Sequence, residues 1–146
     1  MKATVLQRSR ITRYDGGFAS LSAFLLSPNP TFSDVETADM RGNGDFIPTD
    51  GGFVLTYKEE ESGFTVRVEK DGDRLTVTRG GGSLVFLAGG RTAFEYRAVY
   101  GTLPTEAYTE ELSVQEKGNT KLLTLVYTAV LGGMAQKNEM RFKITL

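Results

Sequence analysis

The chain has no histidine and no cysteine. The first absence removes the commonest general base, the commonest metal ligand and the usual pH switch near neutrality. The second removes any disulfide framework and any thiol nucleophile. An enzyme built from this chain would have to work with carboxylates, Tyr, Lys, Arg, Ser or Thr, and neither a cofactor nor a metal is expected. An excess of one charge sign is also missing: 17 Lys and Arg stand against 18 Asp and Glu. Nucleic-acid binders need a basic face, so nucleic acid is not an expected partner. The densest basic group is Arg8, Arg10 and Arg13. Long apolar runs are missing too. The longest, Phe18 to Leu26, is broken by serines and is far too short to cross a bilayer. Met1-Lys2-Ala3-Thr4-Val5 leads into charge rather than into a signal core. The expectation is a cytoplasmic protein of bacterial type with no membrane partner.

What is present suits one domain. The 146 residues are 40% hydrophobic and 24% charged, enough for a substantial core. Glycine-rich marks such as Gly51-Gly52, Asp71-Gly72-Asp73, Gly80-Gly81-Gly82 and Gly132-Gly133 punctuate the chain from Asp34 onward. Between them, β-branched and aromatic residues alternate with polar ones, as in Phe64-Val66-Val68 against Thr65-Arg67-Glu69. This predicts ten strands, over 3–13, 34–46, 52–60, 64–71, 73–80, 83–89, 91–101, 105–116, 120–131 and 135–145. Helical spacing occurs only in the connector 14–32, where Phe18, Leu21, Phe24, Leu25 and Leu26 suit a short amphipathic helix before Pro28 and Pro30. An antiparallel meander with one apolar face buries that face and protects its edges by closing. The predicted fold is all-β, an antiparallel up-and-down meander closed into a barrel of about 8–10 strands. A two-sheet sandwich is the alternative, less favoured because the connections are mostly tight hairpins.

Strand direction alternates in a meander, so each turn can be assigned to an end. The Ser62-Gly63 hairpin defines a top, and the connector 14–32 falls at the same end, as a lid or plug over the mouth. Apolar alternation assigns the inner faces. Phe53, Leu55 and Tyr57 bring Glu59 inward, Leu75 and Val77 bring Arg79, and Phe94 brings Tyr96 and Tyr100. Leu112 and Val114 bring Tyr108 and Glu110, Leu123 and Leu125 bring Tyr127, and Met140 and Phe142 bring Asn138. Tyr57, Glu59, Arg79, Tyr96, Tyr100, Tyr108, Glu110, Tyr127 and Asn138 are therefore the candidate ligand-binding residues of a polar barrel mouth. Glu59 and Arg79 lie on strands two apart, roughly 10 Å between backbones, which two long side chains can span. Inward charges must be paired or wet, so the pair is either a structural salt bridge or a clamp for a polar or anionic ligand head with Arg79 as donor. Acid or base chemistry at Glu59 or Glu110 is the weakest reading, because no recognisable motif supplies a partner.

Several of these residues also carry a family resemblance. Tyr57-Lys58-Glu59-Glu60, the alternating hairpin Thr65 to Thr78 ending in Arg79-Gly80-Gly81, then Phe86, Tyr96, Tyr100-Gly101, Leu112, Leu125-Val126-Tyr127 and Asn138 follow in order. From Thr56 onward the pattern resembles the YwiB-like bacterial domains of unknown function, which belong with the calycin (lipocalin-like) barrels. The resemblance covers about two-thirds of the chain. It implies the closed barrel and a cytoplasmic bacterial setting. It carries no catalytic residue, and the 14–32 connector is longer and more apolar than the pattern leads one to expect.

Other signals resolve to turns. Gly80-Gly81-Gly82 and Gly89-Gly90-Arg91 lead into strands, whereas phosphate loops lead into helices. Asp71-Gly72-Asp73 lacks the downstream ligands of a calcium loop. Segment 120–131 is apolar on both faces, and its outward Leu122, Val126 and Val130 ask for cover from the N-terminal segment or a second subunit. A homodimer is expected on that ground. The leading functional expectation is a non-enzymatic barrel that binds a small, partly apolar or amphipathic molecule. The alternatives are a structural or protein-interaction barrel with a filled interior, and a histidine-free enzyme using carboxylate and tyrosine chemistry.

Overall fold

The structure is a computed structural model that describes residues 1–98 and 101–146. Ten strands and one short helix follow in the order β1 (Lys2–Tyr14), α1 (Leu21–Leu25), β2 (Phe32–Thr49), β3 (Gly52–Glu59), β4 (Thr65–Asp71), β5 (Arg74–Arg79), β6 (Gly82–Leu87), β7 (Arg91–Ala98), β8 (Gly101–Lys117), β9 (Thr120–Leu131) and β10 (Met134–Thr145). All ten expected strands are present, and the helix falls within the expected connector. One antiparallel sheet has the order β6-β5-β4-β3-β2-β1-β10-β9-β8-β7. The first and last strands pair over their length, from Thr4 opposite Thr145 to Arg13 opposite Gln136. The sheet curls into a nearly closed barrel, which excludes the sandwich.

Alternation along each strand builds the core. Val5, Phe46, Phe53, Leu55, Val68, Leu75, Phe86, Leu123, Leu125, Phe142 and Ile144 point inward and are almost fully buried. Phe46 stacks on Phe53 at 5.0 Å, and Phe86 leans on Tyr127 at 4.5 Å. Full burial of such side chains contributes about 1.5–3 kcal/mol each, so the lower barrel is held together by a buried apolar core. Two glycines make room where β2 lies close against β3. A Cβ on Gly44 would stand 1.8 Å from the Thr56 carbonyl oxygen, and one on Gly42 would stand 2.7 Å from the Tyr57 ring. At both sites the missing side chain is what allows the backbones to approach.

The ladder is interrupted between β6 and β7, although these strands are consecutive and lie side by side. Their turn spends its backbone groups elsewhere. Gly89 N–H donates to the Thr109 carbonyl at 3.0 Å, and Thr109 N–H donates to Gly90 at 3.1 Å. The next residue of β8, Glu110, is a bulge: Thr109 faces Tyr127, and Glu111 already faces Val126. The hairpin end is thereby tied to β8, and above it β6 and β7 part into a seam.

That bulge overturns two inward assignments. Upstream of it the inward set of β8 is Thr105, Ala107 and Thr109, all buried. Tyr108 therefore faces outward, against the cluster of Leu21, Phe24, Val130 and Ala135. Glu110 is also outside, accepting from Thr128 Oγ1 at 3.0 Å and lying 3.4 Å from Lys137 Nζ. A period of two does not continue through a site where one extra residue flips the face.

The connector also differs from expectation. It does not cap the mouth. Ser20 caps α1, accepting from Ala23 N–H at 3.1 Å, and the helix lays Leu21 and Phe24 on the outer wall at Val130 and Ala135. Tyr14 and Phe18 close the cluster against Phe24 at 5.0 and 4.9 Å. The upper part of the outward stripe on β9 is thus covered from within the chain.

Candidate functional site

The site grows from the β3–β4 turn. Glu59 is the last residue of β3, on the same face as Leu55 and Tyr57, and is only 2% exposed. The turn fixes it twice over: Gly63 N–H donates to its carbonyl at 3.0 Å, and its amide donates to Phe64. Gly63 holds φ +73, a conformation that a side chain would strain. Ser62 Oγ donates to Glu59 Oε1 at 2.5 Å and accepts from Phe64 N–H at 3.1 Å.

Arg79, at the end of β5, completes the carboxylate's coordination. Its Nε donates to Glu59 Oε1 at 3.0 Å and Oε2 at 3.2 Å, and Nη2 lies 2.9 Å from Oε1. The guanidinium also stacks over Phe64, 4.6 Å from the ring centroid. The Arg79 side chain is 42% exposed against 2% for Glu59. Breaking a fully buried pair costs about 3–5 kcal/mol, and solvent contact on one partner lowers that figure. Arg79 is thus engaged by the protein itself, and its hydrogen-bonding edge is turned to Glu59.

Tyr57 stands behind the pair, 2% exposed, with its hydroxyl 3.3 Å from Gln7 Oε1. Burial, and then the Glu59 charge, push its ionisation well above the ordinary tyrosine range, while Arg79 opposes them. Tyr127 is raised in the same direction by burial, with a smaller contribution from Tyr96. Asn138 lies inside on β10, 4% exposed. Its Oδ1 accepts from Gln136 at 3.3 Å, while its Nδ2 has no partner among the described residues.

Where β6 and β7 part, a cavity of about 170 Å³ opens towards the interior. Val66, Val77, Leu84 and Met140 form its apolar wall, and Gln7, Arg79, Glu95, Tyr96 and Arg97 supply its polar groups. Of the nine residues singled out in the sequence, Arg79 and Tyr96 line this cavity, and Glu59 and Tyr57 support it from behind. Tyr127 and Asn138 are inward on neighbouring strands, Tyr108 and Glu110 are on the outer face, and Tyr100 lies outside the described residues. Gln7, Arg97 and Met140 were missed. Arg97 alternates with the inward Phe94 and Tyr96, so its pattern reads as solvent-facing; only the open seam lets its guanidinium cross to Gly81. A larger depression of about 540 Å³, between Gly132-Gly133 and β7–β8, includes none of the nine.

Comparison with known proteins agrees with this fold. A nearly closed, calycin-like antiparallel barrel with a polar upper interior is the class that fold and site define. Residues 30–143 match the family model described as Domain of unknown function (DUF1934), and the chain belongs to that family. Among solved structures it is similar to the YwiB protein from Bacillus subtilis, with a TM-score of 0.51 and 14% identity over 99% of this chain and 92% of that one. At that identity the likeness concerns the fold. No curated protein matches. No helix among the described residues is long and apolar enough to cross a membrane.

Proposed function

We propose that this barrel binds a small amphipathic monocarboxylate at the β6–β7 seam and performs no chemistry on it. The observation that carries this reading is Arg97. It lines the seam cavity, and no carboxylate lies within 4.0 Å of it among the described residues. A guanidinium beside an apolar wall suits a carboxylate head with a short hydrocarbon tail. Glu95 on the same rim disfavours a second negative charge. The volume limits the tail, since about 170 Å³ is below the roughly 300–1,000 Å³ of drug-sized sites. Glu59, Ser62 and Phe64 hold Arg79 as part of the wall, which supports binding over acid–base work at Glu59.

Titration with butyrate, followed by amide chemical shifts, tests this. Saturable shifts at Leu84, Tyr96 and Met140 are expected, lost with Arg97→Ala and absent with neutral butyramide. Equal responses to butyrate and butyramide, or to wild type and variant, would refute it. A second reading, a structural or interaction barrel, is favoured by the extensive buried apolar core; silence toward every short carboxylate would leave it standing.

A further inference from the structure

We infer that the outer wall of β1 and β10 carries a second, separate site, for a small organic phosphate. The ladder sets Arg8 directly opposite Arg141. Arg8 follows the inward Val5 and Gln7, the latter bonded to Tyr57, and Arg141 precedes the buried Phe142, so both arginines point outward on one surface. Like charges directly opposed across a ladder are destabilising by up to about 1 kcal/mol. The row below continues the pattern: Leu6 lies opposite Lys143 on one side and Arg41 on the other, and Lys143 lies opposite Leu122.

Between these rows is a hollow of about 210 Å³ lined by Leu6, Arg8, Leu122, Arg141 and Lys143. It contains three cations, two leucines and no acid. Arg8 has only a loose contact with Asp39, at 3.7 Å between two well-exposed side chains. Arg141 and Lys143 have no ion pair among the described residues. Over the whole chain the charges balance almost one for one, with 17 basic and 18 acidic residues. A tetrahedral phosphate can accept from both guanidiniums and the ammonium at once, which turns the Arg8–Arg141 repulsion into shared attraction. Leu6 and Leu122 then offer an apolar floor to the organic part of the ester.

The surroundings favour a small ligand over a polyanion. The adjoining hollow, of about 300 Å³, shares Arg8 and Arg141 but also carries Asp39 and Glu139. A nucleic-acid strand or an anionic membrane lying along the wall would press its charge onto those carboxylates. A single phosphate in the acid-free hollow would not.

The test is calorimetric titration of the whole chain with phenyl phosphate and with inorganic phosphate at constant ionic strength. Phenyl phosphate should bind more tightly than inorganic phosphate, with amide shifts at Leu6 and Leu122. Arg141→Thr should weaken it about tenfold, the order expected for one charge-assisted bond. The same variant, relieved of the like-charge pair, should melt no lower than wild type without ligand, so loss of binding cannot be ascribed to misfolding. Arg97→Ala should leave this binding intact, which separates this site from the seam. Equal affinity in Arg141→Thr, equal binding of benzoate, or binding only to phosphatidylglycerol vesicles would each overturn the inference.

Discussion

Tyr57 and Tyr127 are the residues at which burial has a measurable electrostatic consequence. Both ionise well above the ordinary tyrosine value of 10.0 because burial disfavours the phenolate. Below about pH 10 the native and unfolded chains hold the same protons at these sites, so stability does not depend on them there. Above it the unfolded chain releases protons that the native state keeps, and stability falls as pH rises. The slope is about 1.4 kcal/mol per pH unit for each tyrosine, until the native residue ionises as well. Tyr127→Phe should remove one of these contributions and flatten the alkaline decline. Urea midpoints measured on either side of about pH 10 check this; an unaltered slope in the variant would count against it. Glu59 and Arg79, also legible as inward charges from alternation, form an internal clamp on one another. That pairing, more than any catalytic geometry, explains why a carboxylate can sit 2% exposed at the end of β3.

Among the elements, α1 depends most on its neighbours. Five residues with one side-chain cap cannot hold a helix in water. Its stability comes from Leu21, fully buried, and Phe24 against Val130 and Ala135. Leu21→Ala should cost about 2–5 kcal/mol, release the helix and re-expose the apolar stripe of β9. Dye binding to the exposed patch would rise while the strand signal in circular dichroism stays, and loss of the strand signal instead would show that α1 is integral to the barrel. The amphipathic period of the connector was legible, but its docking place was not, because one apolar face fits a barrel mouth and an apolar outer stripe equally well. The β8 bulge belongs to this scale also. Glu110 sits within an otherwise regular alternation, and no local residue type such as glycine marks it. It follows from where Thr109 must bond the β6–β7 turn, a contact between distant parts of the chain.

For the whole molecule, the unequal closure of the barrel is the governing feature. β1 and β10 are fully paired, as are β10 and β9, whereas the facing edges of β6 and β7 have no ladder. Amide exchange should follow this order: slowest at Val5, Phe142 and Leu125, fastest in the seam at Val85 and Arg97. Equal protection on both sides of the seam would indicate a ladder and a sealed cavity, and would remove the route by which a ligand reaches Arg97.

The strands, their order as a meander, most inward faces and the Glu59–Arg79 pair were decided by the sequence itself, because alternation and glycine punctuation are local and each carries its own physical cause. Histidine and cysteine were absent from the outset, and that alone narrowed the available chemistry. Only the tertiary structure decided where the barrel fails to close, which face Tyr108 and Glu110 take after the bulge, and that Arg97 and Gln7 meet at one cavity. It also decided that Arg8 and Arg141 would stand side by side. Each of these depends on pairing between residues far apart in the chain, and a single extra residue in one strand is enough to exchange inside for outside.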